Sequence, residues 1–176
     1  MEAGLLVVRV VLGSIMAAHG AQKLFGWFGG HGLAGTRGWL ESMGFKPARL
    51  QATVVGLAEL GGGVSLVVGM ITPLGAGAVA GVMLVAIATV HWRNGFFNSS
   101  GGYEFNLLIA ATAIALAITG PGEVSVDRLA GWTLSGPAWG LAALGISAAA
   151  ATSVLALRKP PPAQKPEESR EEPSAA

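Results

Sequence analysis

The chain has 176 residues, of which 52% are hydrophobic and 12% charged, with a formal net charge of +1 and no cysteine. Charge at about half the usual quarter, with the apolar residues gathered in long blocks, excludes an ordinary soluble domain and points to membrane spans. The lack of cysteine excludes disulfides, thiolate metal sites, Cys-ligated iron–sulfur clusters and a dithiol relay within this chain, and no basic patch with interleaved aromatics marks nucleic acid as a partner.

Five apolar blocks follow in order. The first, Leu5 to Leu24, has no basic segment before it and no small-residue cleavage site after it, so it reads as a retained span. The second runs from Leu50 to Ile71 and the third from Leu74 to His91, with a tight reversal at Thr72-Pro73, since proline suits the first turn of a helix. The fourth, Phe105 to Thr119, would be only about 22 Å long, so Tyr103 and Glu104 are expected to extend it, and Pro121-Gly122 ends it. The fifth, Trp139 to Leu157, is Ala-rich and the least hydrophobic, which leaves a further span or a peripheral helix. From Arg158 onwards, "RKPPPAQKPEESREEPSAA" is rich in proline and charge, and a disordered tail is expected there.

Alternating the sides places Lys23, Arg37, Lys46, Arg49, Arg93, Arg158, Lys159, Lys165 and Arg170 together, against Arg128 alone with Arg9 near it. The positive-inside bias then puts the N-terminus outside and the tail in the cytoplasm. Small residues mark expected helix contacts: Gly77 and Gly81 form a GxxxG, and Gly61-Gly62-Gly63 interrupts the second block. A shift of 72 residues overlays His19 on His91 and Gly29-Gly30 on Gly101-Gly102, a weak echo of parallel repeats.

The polar residues inside the blocks carry the functional signal. Arg9, Met16, His19 and Lys23 share one sector of about 80° on a helical wheel. Measured from the outer ends, Arg9 comes at about 6 Å, Glu59 at 18 Å, His19 at 21 Å, His91 at 25 Å and Lys23 at 27 Å, with Glu104 at the same inner level. Lys23 and Arg9 are near enough to the ends to snorkel, and His91 and Glu104 can serve as interface caps. Glu59 is too deep to snorkel. A mid-span carboxylate costs about 2.5–3.5 kcal/mol on insertion scales, so it should face the bundle with a partner, and Arg9 and His19 are the expected ones. The pattern further predicts His19 facing Glu59 and His91, and Lys23 pointing towards Glu104. Imidazole and a desolvated carboxylate both titrate near neutrality, the range a quinone site or a proton path needs. A bis-His haem and a His-His-Glu metal site are the other readings of the same residues. No phosphate loop or nucleophile elbow is present.

In order and spacing, "LLVVRVVLG", "AHGAQKLFG", "HGLAGT", "GLAELGGG", "TVHWRNGF" and "GYEFNLL" resemble the DoxX family of small bacterial membrane proteins, over roughly residues 4 to 129. Arg9, His19, Lys23, Glu59, His91, Tyr103 and Glu104 stand at the family's polar motif positions. The resemblance implies an all-α, four-helix membrane bundle over residues 1–135, which leaves 136–157 as an additional transmembrane helix and 158–176 as the tail. Some members are described as a subunit of thiosulfate:quinone oxidoreductase, and a mycobacterial one as a membrane partner in a redox-defence complex. The expected function is therefore an integral membrane subunit of a redox system. Glu59, His19 and Arg9 would form its proton relay or ligand site, and Lys23, His91, Tyr103 and Glu104 would bind a quinone-like cofactor; no metal is called for. The alternatives are a scaffold recruiting soluble redox enzymes through the loop Gly26–Pro47, or a small proton-coupled carrier. A homo-oligomer is compatible with all three.

Overall fold

The structure, a computed structural model, describes residues 2–159; the tail expected beyond Lys159 lies outside them. The described residues form α1 (Glu2–Phe25), α2 (Gly32–Ser42), α3 (Ala48–Val68), α4 (Thr72–Ala86), α5 (Glu104–Thr119), a single turn α6 (Val126–Leu129) and α7 (Pro137–Ala156), with no strand among them. α1, α3, α7 and α4 with its continuation to Asn94 are long and apolar enough to cross a membrane; α5 is apolar but shorter. The chain is a polytopic transmembrane helix bundle, as its composition requires. α4 is central, packing on α3, α5 and α7, while α1 packs mainly on α3.

In lipid the apolar side chains have little reason to prefer each other to acyl chains, so close backbone contact through small residues does the packing. Gly13 and Gly20 of α1 meet Gly56 and Gly63 of α3, each pair seven residues apart. A Cβ on Gly13 would come 2.6 Å from the Gly63 carbonyl oxygen, and one on Gly20 would come 2.7 Å from that of Gly56. Gly77 and Gly81, the expected GxxxG, face α7 near Ala143 and Ser147. The buried Ser147 hydroxyl closes that contact by donating to the Gly77 carbonyl at 2.9 Å. The triple glycine was expected to interrupt its span, and it does not. α3 is continuous, with Gly63 facing α1, Gly62 facing α4, where an added Cβ would come 3.0 Å from the Gly75 carbonyl oxygen, and Gly61 in open space.

Two connections shape the site. The reversal between α3 and α4 takes only three residues because Gly69 ends α3 in the left-handed region (φ +66) and Pro73 sits in the first turn of α4. The segment Gly26–Pro47, read as a loop, contains α2, which packs on α3 and α1 and buries Leu40 beside Phe45 and Ala52. The tail was expected to begin at Arg158, yet Arg158 and Lys159 are held. Arg158 Nε donates to the Met43 carbonyl at 2.9 Å, its guanidinium lies 5.5 Å from the centre of the Phe45 ring, and the Lys159 amide donates to Gly44 at 2.8 Å. Two open carbonyls after α2 and an aromatic face offset the charge here, which composition alone does not reveal.

Candidate functional site

The polar residues separate into two clusters at opposite ends of the bundle. At one end Arg9, 1% exposed, donates to the carbonyls of Pro121 and, at 2.5 Å, Val124. Asp127, fully buried, is the negative charge beside it. The Asp127 carboxylate accepts from the Ile71 and Thr72 amides at 2.6 and 3.1 Å and from the Thr72 hydroxyl at 2.8 Å. A carboxylate at the start of α4 satisfies helix-end N–H groups and complements the helix dipole. Asp127 thus fastens the segment after α5 onto the α3–α4 turn, and Arg9 ties the same segment to α1. The expected Arg9–Glu59 contact is absent.

At the other end, Glu59 pairs with Lys23 at 2.5 Å, the carboxylate 4% exposed and the amine 24%. The expected Lys23–Glu104 contact is also absent: Glu104 instead accepts from the Asn98 amide at 2.8 Å. One rule explains all three outcomes. Side chains lean towards the N-terminus of their own helix. Lys23 therefore leans into the bilayer and Glu59, on the antiparallel α3, leans towards Lys23, which closes the axial gap between them. Arg9 leans outward, away from Glu59, and Glu104 leans out of the bundle into its own loop.

His19 lies close enough to Glu59 to act on its charge, but its ring is exposed on the side of α1 rather than enclosed. His91 ends a π-helical turn, Ile87–His91, that follows α4 and re-aims the last residues of that helix. Its Nδ1 lies 2.7 Å from the Gly101 carbonyl. A carbonyl only accepts, so Nδ1 is the protonated nitrogen, and in the neutral ring Nε2 is left as an acceptor. Tyr103 does not join these groups. It stacks on Trp92 (centroids 5.3 Å, 17°) and meets Phe96 edge-on, so Tyr103 and Glu104 organise the loop between α4 and α5.

His19, Lys23, Glu59 and His91 line one cavity of about 490 Å³, within the range of small-molecule sites. Its walls are otherwise mostly apolar, from Met16, Val55, Val82, Met83, Ile109 and Val154 among others, and Trp39 of α2 and Met43 just after it close one side. Gln51 and Asn106 add polar groups that sequence reading passed over. Their signal was present but weak, since a lone amide near a span end is also an ordinary interface residue. No group of three His, Cys, Asp or Glu residues stands close enough to hold a metal among the described residues, so the His-His-Glu reading finds no geometry.

Fold and cavity together define a helical membrane protein with a half-buried ion pair and two imidazoles lining an apolar, ligand-sized space. The chain belongs to the DoxX family, whose sequence profile matches residues 4–92. That stretch holds Arg9, His19, Lys23, Glu59 and His91 but neither Tyr103 nor Glu104. Among relatives, it is 32% identical to inner membrane protein YqjF of Escherichia coli (strain K12) over 128 residues, covering 73% of this chain and 92% of that one. It is also 32% identical to the Bacillus subtilis (strain 168) protein named "Putative oxidoreductase CatD" over 126 residues, 72% of this chain and 86% of that one. No solved structure matches.

Proposed function

We propose that this protein is the membrane component of a redox system and that its cavity takes the head group of a quinone-like molecule. The observation that carries this is the Lys23–Glu59 pair set in an apolar pocket beside His19 and His91. The lysine ammonium has three donors and spends one on Glu59, so it can also donate to a ring carbonyl. The apolar walls suit an isoprenoid tail. Reduction of such a ring takes up two electrons and two protons. The imidazoles and the ion pair are the groups that would hand on the protons, and with no thiol in the chain the electrons would come from a soluble redox enzyme docking at Gly26–Pro47. The name of the Bacillus subtilis relative supports the redox part of this reading. Arg9, on this reading, is a fastener and lies outside the relay.

The test is quenching of tryptophan fluorescence by a short-chain quinone in detergent, since Trp39 lines the cavity. Lys23→Met, Glu59→Gln and His19→Ala should each weaken binding by about tenfold, the loss of one hydrogen bond to a charged group. If all three bind like the wild type, the cavity is not a quinone site.

Topology belongs to the same proposal. Nine basic residues against one favour a cytoplasmic Lys23 end, with α7 as an additional span. A reporter fused after Ala176 should then be active only in the cytoplasm; periplasmic activity would mean that residues 136–157 do not cross.

A further inference from the structure

We infer that the depression between α2, the start of α3 and the end of α7 binds the headgroup of an anionic phospholipid, with the two acyl chains lying along the bundle. Four cations from three separate segments converge there: Arg37 from α2, Lys46 just before α3 with Arg49 in its first turn, and Lys159 after α7. Glu41 is the only acidic residue in the lining, so the depression carries a formal charge of +3. Glu41 meets Arg37 only loosely, at 3.9 Å with both side chains exposed, and no described carboxylate pairs with Lys46, Arg49 or Lys159.

The convergence is built by the fold. Lys159 follows the strap in which Arg158 bonds Met43 and the Lys159 amide bonds Gly44, so its position beside Lys46 does not depend on a free chain end. Buried Phe45 and Ala48 supply apolar lining beneath the cations, and apart from Glu41 the cations are the charged groups of the depression. Like charges held together in this way favour an anion in their midst. Basic pockets among transmembrane helices at a membrane surface are suited to lipid phosphates.

The occupant is a lipid rather than a free phosphate because the depression opens onto apolar surface. Leu157 lines it and is 54% exposed, and Leu50, one residue beyond Arg49, is 56% exposed. A phosphodiester on the basic rim would leave its acyl chains against these flanks. Inorganic phosphate would use the charges and leave the apolar border unused.

The experiment uses the full chain in a neutral detergent and reads thermal stability as phosphatidylglycerol, phosphatidylcholine or glycerol 3-phosphate is added. Phosphatidylglycerol should raise the midpoint, and the other two should not. Lys46→Gln or Arg49→Gln should each weaken the apparent affinity for phosphatidylglycerol about fivefold, and the double variant about 25-fold. Arg93→Gln removes one charge beyond α4, at the same end but outside the depression, and should leave that affinity unchanged. The midpoints of all variants in phosphatidylcholine should match the wild type, which shows that the fold is intact. Equal weakening by Arg93→Gln would reduce the effect to general surface attraction. Equal stabilisation by glycerol 3-phosphate would make it a phosphate site, and no response to phosphatidylglycerol would remove the site altogether.

Discussion

Lys23→Met should destabilise the protein by about 3 kcal/mol, whereas Glu59→Gln should cost about 1 kcal/mol. The asymmetry follows from exposure. Removing the lysine strands a carboxylate that is 4% exposed, while removing the carboxylate leaves an amine that is 24% exposed and can reach water along its flexible stem. The Lys23→Met, Glu59→Gln double variant should be about as stable as Glu59→Gln alone, because no charge is then left without a partner. Thermal stability in detergent across the four proteins gives the coupling, expected at above about 1.5 kcal/mol; a value under about 0.5 kcal/mol would mean the two sites act independently. A parallel cycle of Lys23→Met with Glu104→Gln should be additive within about 0.5 kcal/mol, since Glu104 bonds its own loop and not Lys23.

The second large effect lies in the α1–α3 seam. Gly63→Ala should destabilise by about 3 kcal/mol, at the upper end of overpacking penalties, because the new methyl group would stand 2.5 Å from the Gly13 carbonyl oxygen. The opposing atom is backbone, so relief requires the two helices to separate along their length. Gly61→Ala is the matched control, two residues away with nothing within 4 Å of its Cβ position. It should be neutral or stabilising by up to about 1 kcal/mol, because alanine loses less conformational freedom in a helix than glycine. Melting curves of the two variants decide the matter: a Gly63→Ala protein as stable as Gly61→Ala would show that the seam does not need close backbone contact.

The two effects are linked through function. The seam fixes how close α1 stands to α3, and the Lys23–Glu59 pair spans those same two helices. A helix displaced by the width of a methyl group would lengthen that contact and alter the cavity that His19 and Glu59 share. Gly63→Ala is therefore also expected to weaken whatever binds there, without touching a lining residue.

What the sequence by itself determined is the class of fold, the approximate spans and the membership of His19, Lys23, Glu59 and His91 in one region. These follow from one-dimensional quantities: the length of apolar runs, 1.5 Å of rise per residue, and the cost of a charge in lipid. Glu59 was legible because its depth left no route to water. Its partner was not legible, since depth along the axis says nothing about which way a side chain leans. The antiparallel packing of α1 on α3 turned Lys23 towards Glu59, and the same geometry sent Arg9 and Glu104 away from it. Asp127 escaped notice for a related reason. It lies in a polar connection where an acidic residue is ordinary, and only the fold carries it to the start of α4, 55 residues away in the chain. The helix within Gly26–Pro47 likewise depends on the surface of α3 and α1 that it packs on, and the anchoring of Arg158 and Lys159 depends on the carbonyls of Met43 and Gly44 that the fold brings to the end of α7. Periodicity registers a residue's own helix; it does not register what that helix will meet.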